Sequence, residues 1–125
     1  MGSDKLGSYE QEVLAAVSAL EEDAYGLAIY NKLFEFEKNP NQGSMYVTLD
    51  RLERKGYLVS RFSLPEAKRG GMPRKYFRIT PLGAHALLES VEMSKKVIKT
   101  VPKSLLDLIK RPIRIPARYK KETSR

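Results

Sequence analysis

The chain has no cysteine, no tryptophan and a single histidine, His85. Without thiols there is no disulfide framework, no thiolate nucleophile and no Cys-based zinc site. A lone histidine makes neither a metal site nor a catalytic pair, so His85 is expected to pack. No acidic cluster is placed for proton transfer or metal binding; an enzyme, a metal and a cofactor are all unexpected. No apolar run approaches the length of a membrane span, and no basic region followed by an apolar one opens the chain. A cytoplasmic protein without membrane contact is expected.

What is present is charge, unevenly placed. The 125 residues suit one domain able to bury about two thirds of the surface its unfolded form exposes. The formal net charge is +8, yet residues 1–60 hold six Lys or Arg against ten Asp or Glu. The excess lies in residues 61–78, with six basic against one acidic, and in residues 102–125, with eight against two. Local potential draws phosphate, so this is the footprint of a polyanion partner.

Ser8 followed by Gln11 reads as a capping box before Val13, Leu14, Val17 and Leu20, giving a first helix over about 9–21. Asp23 is placed to cap a second helix over about 24–37, with Ile29, Tyr30, Leu33 and Phe34 as its stripe. Gly26, near that start, suggests close packing of another backbone or a ligand. The third helix lies between Gly43 and Gly56, with Ser44 the expected N-cap and Gly56 the stop. Met45, Leu49 and Leu52 form its apolar stripe; Val47, Asp50, Arg51 and Arg54 lie opposite, flanked by Ser44 and Lys55. A helix so anchored, with a polar and basic outer face, suits a DNA major groove. Three short helices joined by brief turns fit a helix-turn-helix core.

The pattern then turns extended, at Tyr57 to Phe62 and Lys75 to Thr80. The Pro- and Gly-containing run between them reads as the tip of a β-hairpin. With Lys68, Arg69 and Arg74 in the tip and Arg61, Lys75 and Arg78 on the strands, this is a basic wing beside the third helix. Gly70-Gly71 permits a bend and lacks the spacing of a phosphate-cradling loop.

Thr80-Pro81 opens a further helix, through Val101. Ala84, Leu87, Val91, Ser94, Ile98 and Val101 alternate at spacings of three and four, a heptad seam expected to face a second copy of the chain. Pro102 ends it. Ser104 is placed to cap a short amphipathic turn through Leu105, Leu106, Leu108 and Ile109. The basic, proline-interrupted remainder reads as no independent element.

Tyr25-Gly26 with Ile29 and Leu33, Gly43-Ser44-Met45-Tyr46 with Leu49, Arg51-Leu52-Glu53 and Gly56, Arg74-Lys75-Tyr76-Phe77-Arg78, and Thr80-Pro81 with Gly83 together closely resemble the PadR-like transcriptional regulators. The resemblance covers about residues 6–90 and implies a winged helix-turn-helix homodimer, usually a repressor, with the helix after the wing exchanged between subunits. It implies that Tyr46 touches DNA backbone, that the recognition helix reads the major groove, and that the wing meets the minor groove or its edges. Phe77 stands where such proteins often have a second tyrosine, and Met72 interrupts an Arg-Pro-Arg often seen in the wing. Some relatives bind drug-like or phenolic ligands with aromatics that include tryptophan; with none here, and no aromatic between Phe77 and Tyr119, a small-molecule effector is unsupported.

The expected fold is mainly α with a small β-hairpin wing: residues 1–80 a winged helix-turn-helix DNA-binding domain, 81–101 a dimerisation helix, 102–125 a basic tail. The expected function is sequence-specific regulation by a homodimeric repressor on a roughly palindromic double-stranded operator. Ser44, Val47, Arg51 and Arg54 are assigned to base edges, since arginine pairs bidentately with guanine and an apolar side chain meets the thymine methyl. Tyr46, Lys55, Lys68, Arg69, Arg74 and Lys75 are assigned to phosphates or the minor groove. The rival is a protein-interaction module using the Leu105 to Ile109 patch.

Overall fold

A computed structural model describes residues 5–64, 70 and 72–110. Helix α1 is Ser8–Leu20, one residue earlier than expected, with Gly7 as N-cap. The earlier start puts Glu10 rather than Gln11 at the third helical position, where its carboxylate accepts the Gly7 N–H at 3.0 Å. A 3-10 turn, Glu21–Asp23, precedes α2 (Gly26–Leu33), whose N-cap is Tyr25 and not Asp23. Helix α2 stops four residues short of the expected end. Beyond Leu33 the chain tightens, with Glu35 N–H bonding Lys32 O at 3.0 Å and Phe36 N–H bonding Leu33 O at 2.9 Å.

Helix α3 is Gln42–Arg54. Its N-cap is Asn41, whose Oδ1 accepts the Ser44 N–H at 2.8 Å; Ser44 lies inside the helix and does not cap it. At the other end Gly56, at φ 83°, supplies a left-handed residue. Gly56 N–H bonds Glu53 O at 3.0 Å and Tyr57 N–H bonds Leu52 O at 2.9 Å, the paired bonds of a Schellman stop.

The core gathers Val13, Leu14, Ala16 and Val17 of α1, Ile29 and Leu33 of α2, and Met45, Leu49 and Leu52 of α3. Burying each large apolar side chain of α3 contributes roughly 1.5–3 kcal/mol, which holds the helix down along one stripe. Strands β1 (Leu58–Phe62) and β2 (Lys75–Ile79) form an antiparallel hairpin, Leu58 opposite Ile79 and Phe62 opposite Lys75. The far edge of β2 is closed where Phe77 N–H bonds Ala24 O at 2.8 Å.

Helix α4 is Pro81–Lys99. Thr80 Oγ1 accepts the Gly83 N–H at 3.0 Å and donates to Gly56 O at 2.6 Å, so one hydroxyl starts α4 and grips the end of α3. Gly83 lies so close to the Tyr57 carbonyl that a Cβ there would overlap it. His85 does not pack: its side chain is exposed, 3.6 Å from Glu89.

The chain divides into two compact units between Glu92 and Met93, within α4. In the first, Ala86 and Leu87 lie against the core and Ser90 Oγ donates to Gln11 Oε1. In the second, α4 ends at Lys99, before the expected Val101; Thr100 and Val101 N–H bond Val97 and Ile98 carbonyls at 3.0 Å each. Helix α5 (Lys103–Leu106) has Pro102, not Ser104, as N-cap, and a 3-10 turn Asp107–Lys110 follows. Residues 111–125, and with them most of the expected basic tail, lie outside the described residues. No helix among those described is long and apolar enough to cross a membrane.

Candidate nucleic-acid interface

With Met45, Thr48, Leu49 and Leu52 buried, α3 turns Ser44, Tyr46, Val47, Asp50, Arg51 and Arg54 outward. Val47 is 57% exposed. Arg54 is open to solvent, its Nη2 2.9 Å from Asp50 Oδ2 one turn back. Arg51 is half exposed, and its Nη1 lies 3.8 Å from Glu10. Both guanidiniums can swing outward, because neither is enclosed.

Lys55 is placed differently. Its Nζ bonds Glu10 Oε2 at 3.0 Å and less than a third of the side chain is exposed. Burial pushes the Glu10 carboxyl up, but the Gly7 N–H, Lys55 and Arg51 outweigh it and hold the group below the usual carboxylate range. Glu10 therefore stays ionised and ties α1 to the C-terminal turn of α3. No local pattern reveals this role, since its partners lie more than forty residues away.

Tyr46 is half exposed, and its ring crosses Gly26; a Cβ there would collide with the phenol. The close packing expected at Gly26 is thus with a side chain of α3. Beside it a cleft of about 280 Å³ separates α2 and α3 from β2, with Tyr25, Leu49, Arg74 and Phe77 in its walls. Phe77 is 6% exposed, so its ring belongs to the core, where a tyrosine hydroxyl would need a partner.

The hairpin is locked to α3 by Ser60 Oγ, which donates to Glu53 at 2.6 Å, and by Lys75, 3.8 Å from the same carboxylate. Two of its guanidiniums lie on aromatic rings. The Arg74 guanidinium is 3.9 Å from the Tyr25 ring centre and that of Arg61 is 4.7 Å from Tyr76. Arg61 and Arg78 also reach Glu22, at 4.0 and 3.2 Å. Lys68 and Arg69 lie outside the described residues. Along α4, Ala84, Leu87 and Val91 are half-buried; Ser94 and Ile98 are exposed, and Val101 is half-buried. The structure thus brings Ser44, Tyr46, Val47, Arg51 and Arg54 together on α3, with Arg74 and Lys75 beside them.

Residues 13–89 match the family model described as the transcriptional regulator PadR-like family. No curated protein matches the chain. Among solved structures, a PadR family transcription regulator of Clostridium difficile is 27% identical over 80% of this chain and 99% of its own, at a TM-score of 0.62. A PadR-like transcriptional regulator of Bacillus cereus is 28% identical over 78% of this chain and 90% of its own, at 0.63. A PadR family regulator of Eggerthella lenta is 29% identical over 80% of this chain and 82% of its own, at 0.55.

Proposed function

The chain belongs to the PadR-like family of transcriptional regulators, a family of regulators rather than enzymes, and from that premise we propose that it is a homodimeric repressor. Repression would follow from occupying a roughly palindromic operator. The observation that carries the reading is the outer face of α3, where Val47, Arg51 and Arg54 project beside a hairpin bearing Arg74 and Lys75. Such a face has what base-edge recognition requires: fork donors for guanine and an apolar contact for the thymine methyl. Ser44 lies on the same first turns, and Tyr46, Arg74 and Lys75 border them, in reach of phosphates. Lys55, bonded to Glu10, serves the interface by holding α3 in place and reaches phosphate only after exchanging that partner.

In this reading the two copies join through α4, using Ala84, Leu87, Val91, Ser94, Ile98 and Val101, and two-fold symmetry sets the recognition helices about 34 Å apart. No effector is assigned. A second reading, docking of a partner protein, is favoured only by Leu105 and Leu108, which are 54% and 48% exposed.

Selection of bound duplexes from a random pool tests the proposal directly. Enriched sequences should be inverted repeats with half-sites about one helical turn apart, and affinity should fall steeply as salt rises. Affinity insensitive to salt would favour the protein-docking reading.

A further inference from the structure

The outward face of α3 carries an acid as well as cations. Val47, Asp50 and Arg54 follow one another at spacings of three and four, so they stand along one ridge of the helix, about 10 Å long at a rise of about 1.5 Å per residue. The side chain of Asp50 is 67% exposed and that of Arg54 72%. The fold makes little use of this carboxylate. Glu53 ties α3 to the hairpin, accepting from Ser60 and lying beside Lys75, and Glu10 ties α3 to α1. Asp50 meets Arg54 one turn on, at 2.9 Å, in an exposed pair that contributes little to stability. It also borders the cleft lined by Arg74 and Lys75, so cations stand near it both along the helix and across the cleft.

A carboxylate on such a face has a definite chemical requirement. It repels phosphate, and once an interface covers it, it must accept a hydrogen bond or leave a charge stranded. The major groove offers two amino donors, cytosine N4 and adenine N6. Adenine sets its N7 acceptor beside N6, where it confronts the second carboxylate oxygen, whereas cytosine presents its amino group with no acceptor of its own. We infer that Asp50 reads a cytosine in each half-site, accepting from N4, next to the guanine that Arg54 contacts. Arg54 holds the carboxylate on the ridge and offsets its charge until both side chains find bases. Against any other base at that position the carboxylate is left without a donor, so Asp50 acts mainly by rejecting wrong sequences.

The inference rests on the DNA-binding reading, and one experiment separates their failures. Bound duplexes are selected from a random pool with the full chain as wild type, Asp50→Ala, Asp50→Asn and Arg54→Ala. Anisotropy then reads the affinity of each for the wild-type duplex and for a random one. Wild type should fix a cytosine in each half-site. Asp50→Ala should erase that preference, worth about tenfold in relative affinity, and leave the other positions fixed. It should also bind random DNA about threefold more tightly, since a repelling charge is gone. Asp50→Asn should move the preference to adenine, whose N6 and N7 pair with the amide. Arg54→Ala should relax a guanine and keep the cytosine. Wild-type half-sites without a fixed cytosine, or an Asp50→Ala pool identical to that of wild type, overturn the inference while the DNA-binding reading stands. Loss of the same cytosine in Arg54→Ala also overturns it, assigning that base pair to Arg54 and leaving Asp50 as its positioning residue. Absence of any duplex binding by wild type overturns both.

Discussion

Among the described residues helix α3 and the hairpin both present cations, but only the hairpin lays guanidiniums on aromatic rings. On α3 the cations are paired with acids, Arg54 with Asp50 and both Lys55 and Arg51 with Glu10. On the hairpin Arg74 rests on Tyr25, Arg61 on Tyr76, and Lys75 lies 5.3 Å from the Phe77 ring centre. A guanidinium stacked on a ring uses its face there and leaves its in-plane N–H donors to bond other acceptors. An arginine committed to a carboxylate must exchange that partner, and only a well-matched acceptor replaces it without loss. Under the proposed function, the hairpin is the region expected to meet any duplex through phosphates, and α3 the region expected to exchange its acids for bases. Acids reach the hairpin too, Glu22 beside Arg61 and Arg78 and Glu53 beside Lys75; the exposed pairs of both regions, Arg54 with Asp50 included, are worth little, so the contrast lies in the rings and in Glu10.

The most drastic way to break the contrast is to remove the floor both regions stand on. Leu49 is 1% exposed, anchors α3, and shares a cleft wall with Phe77 of β2. Leu49→Ala should lower unfolding free energy by about 2–5 kcal/mol in denaturant titration, abolishing specific and non-specific binding together. Retention of wild-type stability would mean that α3 is not held by its stripe.

The contrast is sharpened by paired truncations. Arg51→Ala should lose about 1–3 kcal/mol of discrimination between selected and random duplexes. Arg74→Ala should weaken both alike and lower the salt slope by about one. Equal losses on the two sequences for Arg51→Ala would remove it from the base-reading set.

Making α3 resemble the hairpin is the subtler test. Glu10→Ala frees Lys55 and Arg51 and removes the bond to the Gly7 N–H, costing about 1–2 kcal/mol of stability. Affinity for random DNA should rise as discrimination falls. The pH dependence has a definite sign. The Glu10 carboxyl titrates lower in the folded chain than in the unfolded one, so its contribution is complete above the ordinary glutamate range. It is lost as pH falls through the lowered value. Acid titration of stability should therefore be flatter in Glu10→Ala.

How much of this was legible in the sequence follows from what each feature depends on. The stripe of Met45, Leu49 and Leu52 and the alternation through Phe77 and Ile79 depend only on period, and all five side chains are buried or half-buried. Thr80-Pro81 starts α4 because cap chemistry is local. The caps at Ser8, Ser44 and Ser104 failed for a related reason: several residues within one turn can cap, and packing of the whole helix chooses among them. The second helix is shorter than its stripe suggests because the stripe runs on into Phe34, whose ring ends half exposed. His85 does not pack because being the lone histidine says nothing of the face a residue occupies. The resemblance supplied the role expected of Tyr46, but the pairing of its ring with Gly26 needed three dimensions. So did the division of cations between acids and rings, since Glu10 and Lys55, or Arg74 and Tyr25, share no local pattern.

The smallest expected effect isolates stability from recognition. Glu12 stands two residues from Glu10 on α1, yet it is turned toward Glu37 and shares no contact with α3 among the described interactions. Burial, a hydrogen bond with Glu37 and the repulsion of its charge push the Glu12 carboxyl up to about 6, and its Oε1 is buried without a partner. Because the folded chain holds this proton more tightly than the unfolded one, stability falls as pH rises from about 4.5 to about 6 and levels off above. Glu12→Gln removes the repulsion and keeps a hydrogen-bonding amide, so it should raise stability at pH 7 by up to about 1 kcal/mol, a gain absent at pH 4. Discrimination between selected and random duplexes should not move, unlike in Glu10→Ala. If Glu12→Gln altered discrimination as well, the restraint on α3 would belong to α1 as a whole and not to the single carboxylate at Glu10.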